Sequence, residues 1–331
     1  MTKEQCADFL EFTSYGEIDL NENPCIFPQC GHIATVGTMD GMMSMADFYE
    51  LADNKAIRLK DIDLELTQKV PACPTCRGSL RNINRYGRMV RQGLLAEATK
   101  KFIIWSNERY VPLAKEVQDL QERLSNSTAE AGKYFTGLKP LVLDLSGTSD
   151  KQIKHVQKSS QLPRYQQLVS VHGSIMKYMH SVAIEEQPFT RVWELVQHKR
   201  RLHGTSGNGF ELGNGVMQTG QYMKALSLLL RCHLAIICDF LSQAKLSPQS
   251  KIDFAVNKAG AEDLSRLAQQ GFQPAIEVEA YLYYGRYCAA EQVFLKRAVE
   301  TLSVAGGSTV TIEAFRKRID ELRSKGLASI E

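Results

Sequence analysis

Signatures of the common enzyme classes are missing from this chain of 331 residues. It contains no Gly-x-x-x-x-Gly-Lys-Ser/Thr phosphate loop, no Gly-x-Ser-x-Gly elbow and no His-Glu-x-x-His metal helix. These absences remove the usual marks of an ATP-driven motor, a serine hydrolase and a metalloprotease, and no small-molecule active site is expected. Long hydrophobic runs are missing as well. No stretch approaches the roughly 18 uninterrupted apolar residues of a membrane span, so no membrane partner is expected. Met1-Thr2-Lys3-Glu4-Gln5 has no basic segment leading into an apolar core. No secretory leader is read there, and the chain is expected inside the cell, in nucleus or cytoplasm.

Charge of one sign is scarce too. Forty Lys and Arg stand against 37 Asp and Glu, a net charge of +3. That balance describes a soluble globular protein and selects no nucleic-acid partner by itself. With 44% hydrophobic residues, the chain is long enough for one large domain or two ordinary ones. There is no internal repeat and no low-complexity tract.

Eight cysteines are present, and without a secretory leader they imply thiols in a reducing compartment. Cys6, Cys25, Cys30, Cys73 and Cys76 crowd the first quarter, whereas Cys232, Cys238 and Cys288 lie in apolar helical sequence. Cys30-Gly31-His32 offers two donors across one tight turn, and its glycine supplies a positive φ. Cys73-Pro74-Thr75-Cys76 offers two more, with proline fixing the turn. Forty residues separate His32 from Cys73, a spacing compatible with a RING-like cross-brace. Cys30, His32, Cys73 and Cys76 are therefore read as the four ligands of one structural zinc ion. Cys25 is held in reserve as a replacement ligand, although a buried thiol is the plainer reading for it and for Cys6. A Cys-Pro-x-Cys pair also serves as a redox dithiol, but that role needs a βαβ context, and here an arginine-rich helix follows.

The stretch from Met1 to Val70 is acidic and broken by turn formers, which predicts short strands and loops with one short helix near Met45–Ala52. After Cys76 come Arg77, Arg81, Arg85, Arg88 and Arg91 with no acid between them. Arg77, Arg81, Arg85 and Arg88 would line one face of an early-starting helix and could meet RNA phosphates or ubiquitin. The plainer alternative is that they pair with the acidic segment before them.

From about Tyr86 the period is helical. Leu113, Val117, Leu120 and Leu124 form a packing seam that Ser125-Asn126-Ser127-Thr128 weakens. Gly137 to Ser149 reads as a loop. A second helical block is expected over about Pro163–Arg201, with Glu186-Gln187-Pro188 as a start signal inside it. Phe189, Val192, Trp193, Leu195 and Val196 would form its apolar face. His203 to Gly209 reads as a connector. A strongly apolar helix follows near Val216–Ala244, then helices near Pro274–Thr301 and Thr311–Lys325. Cys232, His233 and Cys238 are read as core residues, and His172 and His180 have no acidic partner motif. The expected fold is mainly α: a small RING-like α+β zinc module over residues 1–85 and a long-helix bundle over 86–331, with a sub-boundary near 203–215.

Three segments carry a family resemblance: Asn23-Pro24-Cys25-Ile26-Phe27-Pro28-Gln29-Cys30-Gly31-His32 with Met39-Asp40-Gly41-Met42; Cys73-Pro74-Thr75-Cys76-Arg77-Gly78-Ser79-Leu80-Arg81-Asn82-Ile83; and Arg85-Tyr86-Gly87-Arg88. Together with Glu186-Gln187-Pro188-Phe189-Thr190-Arg191-Val192-Trp193, they resemble the region beyond the motor in the large NF-X-type zinc-finger and superfamily-one RNA helicase proteins. That resemblance implies an origin in an RNA-helicase-associated protein linked to RNA silencing, with ubiquitin ligases among its relatives. The helicase motor and the terminal RZ finger are lacking here, so the chain is expected to be a piece of the longer protein or a shortened gene product. The expected function is a non-catalytic zinc-binding interaction module whose helices dock proteins or neighbouring domains. The alternatives are a RING-type ubiquitin ligase, with Pro74 and Arg77 facing a ubiquitin-conjugating enzyme and ubiquitin, and an RNA-binding accessory region.

Overall fold

The structure, a computed structural model, describes residues 3–52, 55–60, 69–127, 141–160, 163–185, 187–190, 194, 198, 201–202 and 219–328. The fold is mainly α, as expected. The described residues up to Ile104, together with 194, 198 and 201–202, form one compact unit. Those from Trp105 to Thr190, together with those from Thr219 onward, form a second. This division falls at Ile104, inside a helix. The sub-boundary near 203–215, the connector at 203–209 and the apolar positions Val192, Trp193, Leu195 and Val196 lie outside the described residues.

In the first unit, β1 (Cys25–Ile26) pairs antiparallel with β2 (Ala34–Thr35), and α1 (Val36–Met42) follows directly. Thr35 caps α1 by accepting a hydrogen bond from the Thr38 N–H. α2 (Met45–Phe48) is one turn long, and β3 (Tyr49–Ala52) then pairs with β4 (Lys55–Leu59). The helix expected near Met45–Ala52 thus gives way at Tyr49 to a strand, because the second half pairs across a hairpin. A small core of Ala34, Met39, Met43, Met45, Phe48, Cys73, Leu80, Tyr86, Met89 and Val90 holds the unit. The long helix α3 (Gly87–Asn126) contributes to both units. At Gly93 an added Cβ would stand 2.9 Å from the Val70 Cα and 3.0 Å from the Lys69 carbonyl oxygen. Only a bare glycine lets α3 lie this close to the strand of chain that enters Cys73.

The second unit is helical. α3 supplies Val117, Leu120 and Leu124 to the core, with Leu113 beside them, so the predicted seam is present. The helix stops at Asn126, inside the polar run. α4 (Ser149–Ser160) and α7 (Phe254–Gln270) were not foreseen, and between 141 and 148 the expected loop contains β5 (Asp144–Leu145), parallel to β6 (Lys251–Ile252). α5 (Gln166–His180), α6 (Gly220–Gln243), α8 (Pro274–Val304) and α9 (Thr309–Ala328) agree with the sequence pattern.

α6 is largely apolar and packs on two faces, while Lys224 and Ser242 are exposed. Leu228, Leu229, Cys232, Ile236, Ile237 and Phe240 face the core shared with α3, α4 and α5. Met223, Leu230 and Leu234 face α7 and α8. By length and composition α6 passes the test for a membrane-crossing helix, but 67% of its most apolar window is buried within the bundle. The guanidinium of Arg164 ties three elements together. It pairs with Asp239 of α6 at 2.7 Å, and it donates to the Leu124 carbonyl at 2.7 Å and the Ser127 carbonyl at 3.0 Å, at the end of α3.

His172 of α5 and His233 of α6 face each other in this core, 6.4 Å between ring centroids. Burial lowers the His172 pKa to about 4, with Lys154 adding to the effect and Asp150 opposing it. Burial and the neighbouring His172 lower that of His233 to about 3. As the pH falls below the ordinary 6.5 of histidine, the unfolded chain takes up protons first. Their contribution to stability is therefore complete above pH 6.5 and is lost toward the folded-state values. Urea midpoints should fall from pH 6.5 downward, and His172→Gln should flatten that slope. A wild-type profile already flat between pH 6.5 and 5 would contradict the burial of neutral imidazoles.

Candidate metal centre

Two tight turns bring the donors together. In the first, the Gly31 N–H donates to the Pro28 carbonyl at 3.0 Å. Gly31 itself sits at φ +81°, as the sequence suggests for the residue between two ligands. In the second, Cys73 N–H donates to the Gly78 carbonyl at 2.8 Å and Arg77 N–H to the Cys73 carbonyl at 2.8 Å. An antiparallel bridge between Ala72 and Ser79 closes that loop. The left-handed position here falls on Arg77, at φ +58°, a conformation that side-chain-bearing residues rarely adopt.

The two turns meet at a four-donor group. The ligand atoms of Cys30, His32, Cys73 and Cys76 all lie within 4.8 Å of one another, and Nδ1 of His32 is 3.4 Å from Sγ of Cys30. Donors around a tetrahedral ion with bonds of roughly 2.0–2.3 Å are about 3.3–3.8 Å apart, so a slight contraction completes such a shell. Three sulfurs and one imidazole form a soft donor set. With four protein donors, no position is left open for a substrate. Cys30 and Cys76 are exposed, His32 is half-buried, and Cys73 is 2% exposed. Cys73 is therefore a core residue and a donor at once.

The electrostatics of the sulfurs are linked. Burial pushes the Cys73 thiol up, but the N–H groups of Cys76 and Thr75 and the thiols of Cys30 and Cys76 donate toward its sulfur, and the net shift is downward. Cys76 moves the other way. The Gly78 N–H favours its thiolate, yet desolvation and the Cys30 and Cys73 sulfurs outweigh it. One thiolate therefore makes the next harder to form, and a cation is what relieves that repulsion.

The other sequence candidates are placed as follows. Cys25 does not belong to the four-donor group. Its thiol, 3.8 Å from the Asn23 carbonyl, is pushed up by burial and by Asp8. The Cys6 thiol faces the Asp8 carbonyl at 3.2 Å. Arg77, Arg81, Arg85 and Arg88 do not form one helical stripe, because α3 begins only at Gly87; Arg77 and Arg81 lie in irregular backbone before it and Arg85 in the short 3-10 helix Asn84–Tyr86. Arg85 pairs with Asp40, donating from Nε at 2.8 Å. Arg88 donates to the carbonyls of Phe48 and Lys60 at 2.9 and 2.7 Å, with its guanidinium over the Tyr49 ring. Both are occupied within the module. Arg77 and Arg81 are exposed. Among the core candidates, Cys232 and His233 are buried and Cys238 is half-buried.

Two residues that sequence reasoning missed support the site. Asp40 of α1 accepts from Arg85 and from the Tyr86 hydroxyl at 2.9 Å, so it ties α1 to the start of α3. Gly78 touches the donors themselves: a Cβ added there would lie 3.0 Å from Cys30 Cβ, 3.2 Å from Cys76 Sγ and 3.4 Å from Cys30 Sγ. The only signal for Gly78 was its place two residues after Cys76.

Gly78→Ala should weaken metal affinity by about tenfold, the lower end of what second-layer changes cost metal sites; competition against a chromogenic chelator measures it. Gly93→Ala should lower stability by roughly 1–3 kcal/mol through the enforced backbone shift, read as a lower urea midpoint. Wild-type values in either variant would contradict the close approaches described. No protein-family model, no curated protein and no solved structure matches the chain, so the reading of this centre rests on its own side chains.

Proposed function

We propose that the chain is a zinc-stapled interaction module, in which Cys30, His32, Cys73 and Cys76 bind one structural zinc ion that fixes the fold of the first unit and in which the helical second unit serves as a docking scaffold. The convergence of three sulfurs and one imidazole within 4.8 Å carries the proposal. Zinc suits this donor set, since it has no redox chemistry and no geometric demand beyond four donors. The resemblance to the post-motor region of the NF-X-type helicase proteins agrees with a docking role rather than an ATP-consuming one.

The same reading gives meaning to exposed apolar side chains on the turn that follows Asp8. Leu10 is 79% and Phe12 82% exposed. They sit on a turn held by Asp8, whose Oδ1 accepts from the N–H groups of Leu10 and Glu11 and whose Oδ2 accepts from Thr35 Oγ1 at 2.9 Å. Large apolar groups on a braced turn suit protein recognition better than solvent.

Metal removal tests the proposal on the full chain. Chelation should abolish amide-exchange protection around residues 25–35, 72–80 and 86–96 while the helices from Trp105 onward keep theirs. Cys30→Ser and Cys73→Ser should reproduce the loss, and Cys25→Ser should not. Unchanged protection in metal-free, reduced protein would overturn the structural role of the ion.

A further inference from the structure

In the second unit, α3, α6 and α8 border a cleft of about 800 Å³. That volume lies within the roughly 300–1,000 Å³ typical of ligand sites. Its apolar lining comes from Leu124, Ala235, Leu282 and Tyr283. Leu124 and Tyr283 are nearly buried, whereas Leu282 is 49% exposed at the edge. One turn earlier on α8, Val278 is 57% exposed and extends the apolar track outward.

Charge in the cleft is unbalanced. Arg231 spends only its Nε, donating to Gln121 Oε1 at 2.8 Å, and Arg286 is exposed. Among the described residues neither forms an ion pair. Asp239 also lines the cleft, but Arg164 and Tyr165 occupy both of its oxygens. Glu279, whose Oε2 accepts from Ser227, is the one carboxylate left to offset two guanidinium groups. One net positive charge therefore faces an apolar cleft.

We propose that this cleft binds a small amphipathic monoanion, a long-chain carboxylate, with its head group between Arg231 and Arg286 and its chain along Leu124, Ala235 and Leu282. A guanidinium meets a carboxylate through two parallel N–H donors, and both terminal amino groups of Arg231 have no other partner among the described residues. The site uses none of the metal donors, so it stands or falls apart from the zinc proposal.

Dodecanoate is the probe, titrated calorimetrically into the full chain below its micelle-forming concentration. Saturable binding of one dodecanoate per chain is expected, weakened by about fivefold or more in Arg286→Gln and in Arg231→Gln. Dodecanol, which has the same chain but no charge, should bind at least about fivefold more weakly. The Cys238 thiol also lines the cleft, and bound dodecanoate should slow its alkylation by iodoacetamide. Arg286 is exposed, so its substitution leaves the fold intact, and circular dichroism checks this. Absence of saturable binding, equal binding of dodecanol, or an Arg286→Gln variant with wild-type affinity would overturn the proposal.

Discussion

The sulfur of Cys73 belongs at once to the hydrophobic core of the first unit and to the four-donor group. The rest of that unit depends on this double membership. Its core is small, and several large apolar residues stay outside it, among them Phe12, Ile57 and Leu59. A segment of this size gains too little from burial alone to fix two tight turns, one of which carries Arg77 in a left-handed conformation. On the proposed reading a shared ion would supply what burial does not, by closing the forty-residue interval between His32 and Cys73; α3 is seated on the entering chain at Gly93.

The second unit is held by packing around α6, which buries side chains in two core clusters, and its helices are fastened by polar groups that must be satisfied once enclosed. Arg164 and Asp239, with side chains only 11% and 10% exposed, are the clearest case. Lys258 and Glu291 are another, at 2.6 Å between α7 and α8, with Arg318 of α9 joining Glu291 at 3.0 Å. Such pairs add little net stability over apolar contacts, but removal of either partner leaves an enclosed charge. They therefore fix which helix meets which.

How much of this was legible in the sequence follows from the range of each signal. The four donors were legible because metal ligation demands particular residue types at short spacings within each turn. The seam of Leu113, Val117, Leu120 and Leu124 was legible because helical burial repeats every three to four residues. α7 escaped because its apolar residues are diluted by Gly260 and by polar positions that face other helices, such as Asn257 bonded to Gln152 of α4 at 2.9 Å. α4 escaped for a similar reason, with Ile153 and Val156 as its only buried large apolar residues. The arginine run offered two readings, a helical stripe from its spacing of four, four and three or pairing with the acidic segment before it, and Arg85 takes the second by pairing with Asp40, 45 positions away. Long-range pairing of that kind, like the contact of Gly78 with Cys30, leaves no local trace.

X-ray absorption at the zinc edge on freshly purified, reduced full-length chain addresses the central claim most directly. The account predicts one zinc per chain with a first shell of three sulfurs at about 2.3 Å and one nitrogen at about 2.0 Å, lost in Cys73→Ser. A shell dominated by oxygen, or a reduced protein without zinc, would contradict it and leave Cys73 and Cys76 as thiols in a fold that needs no staple.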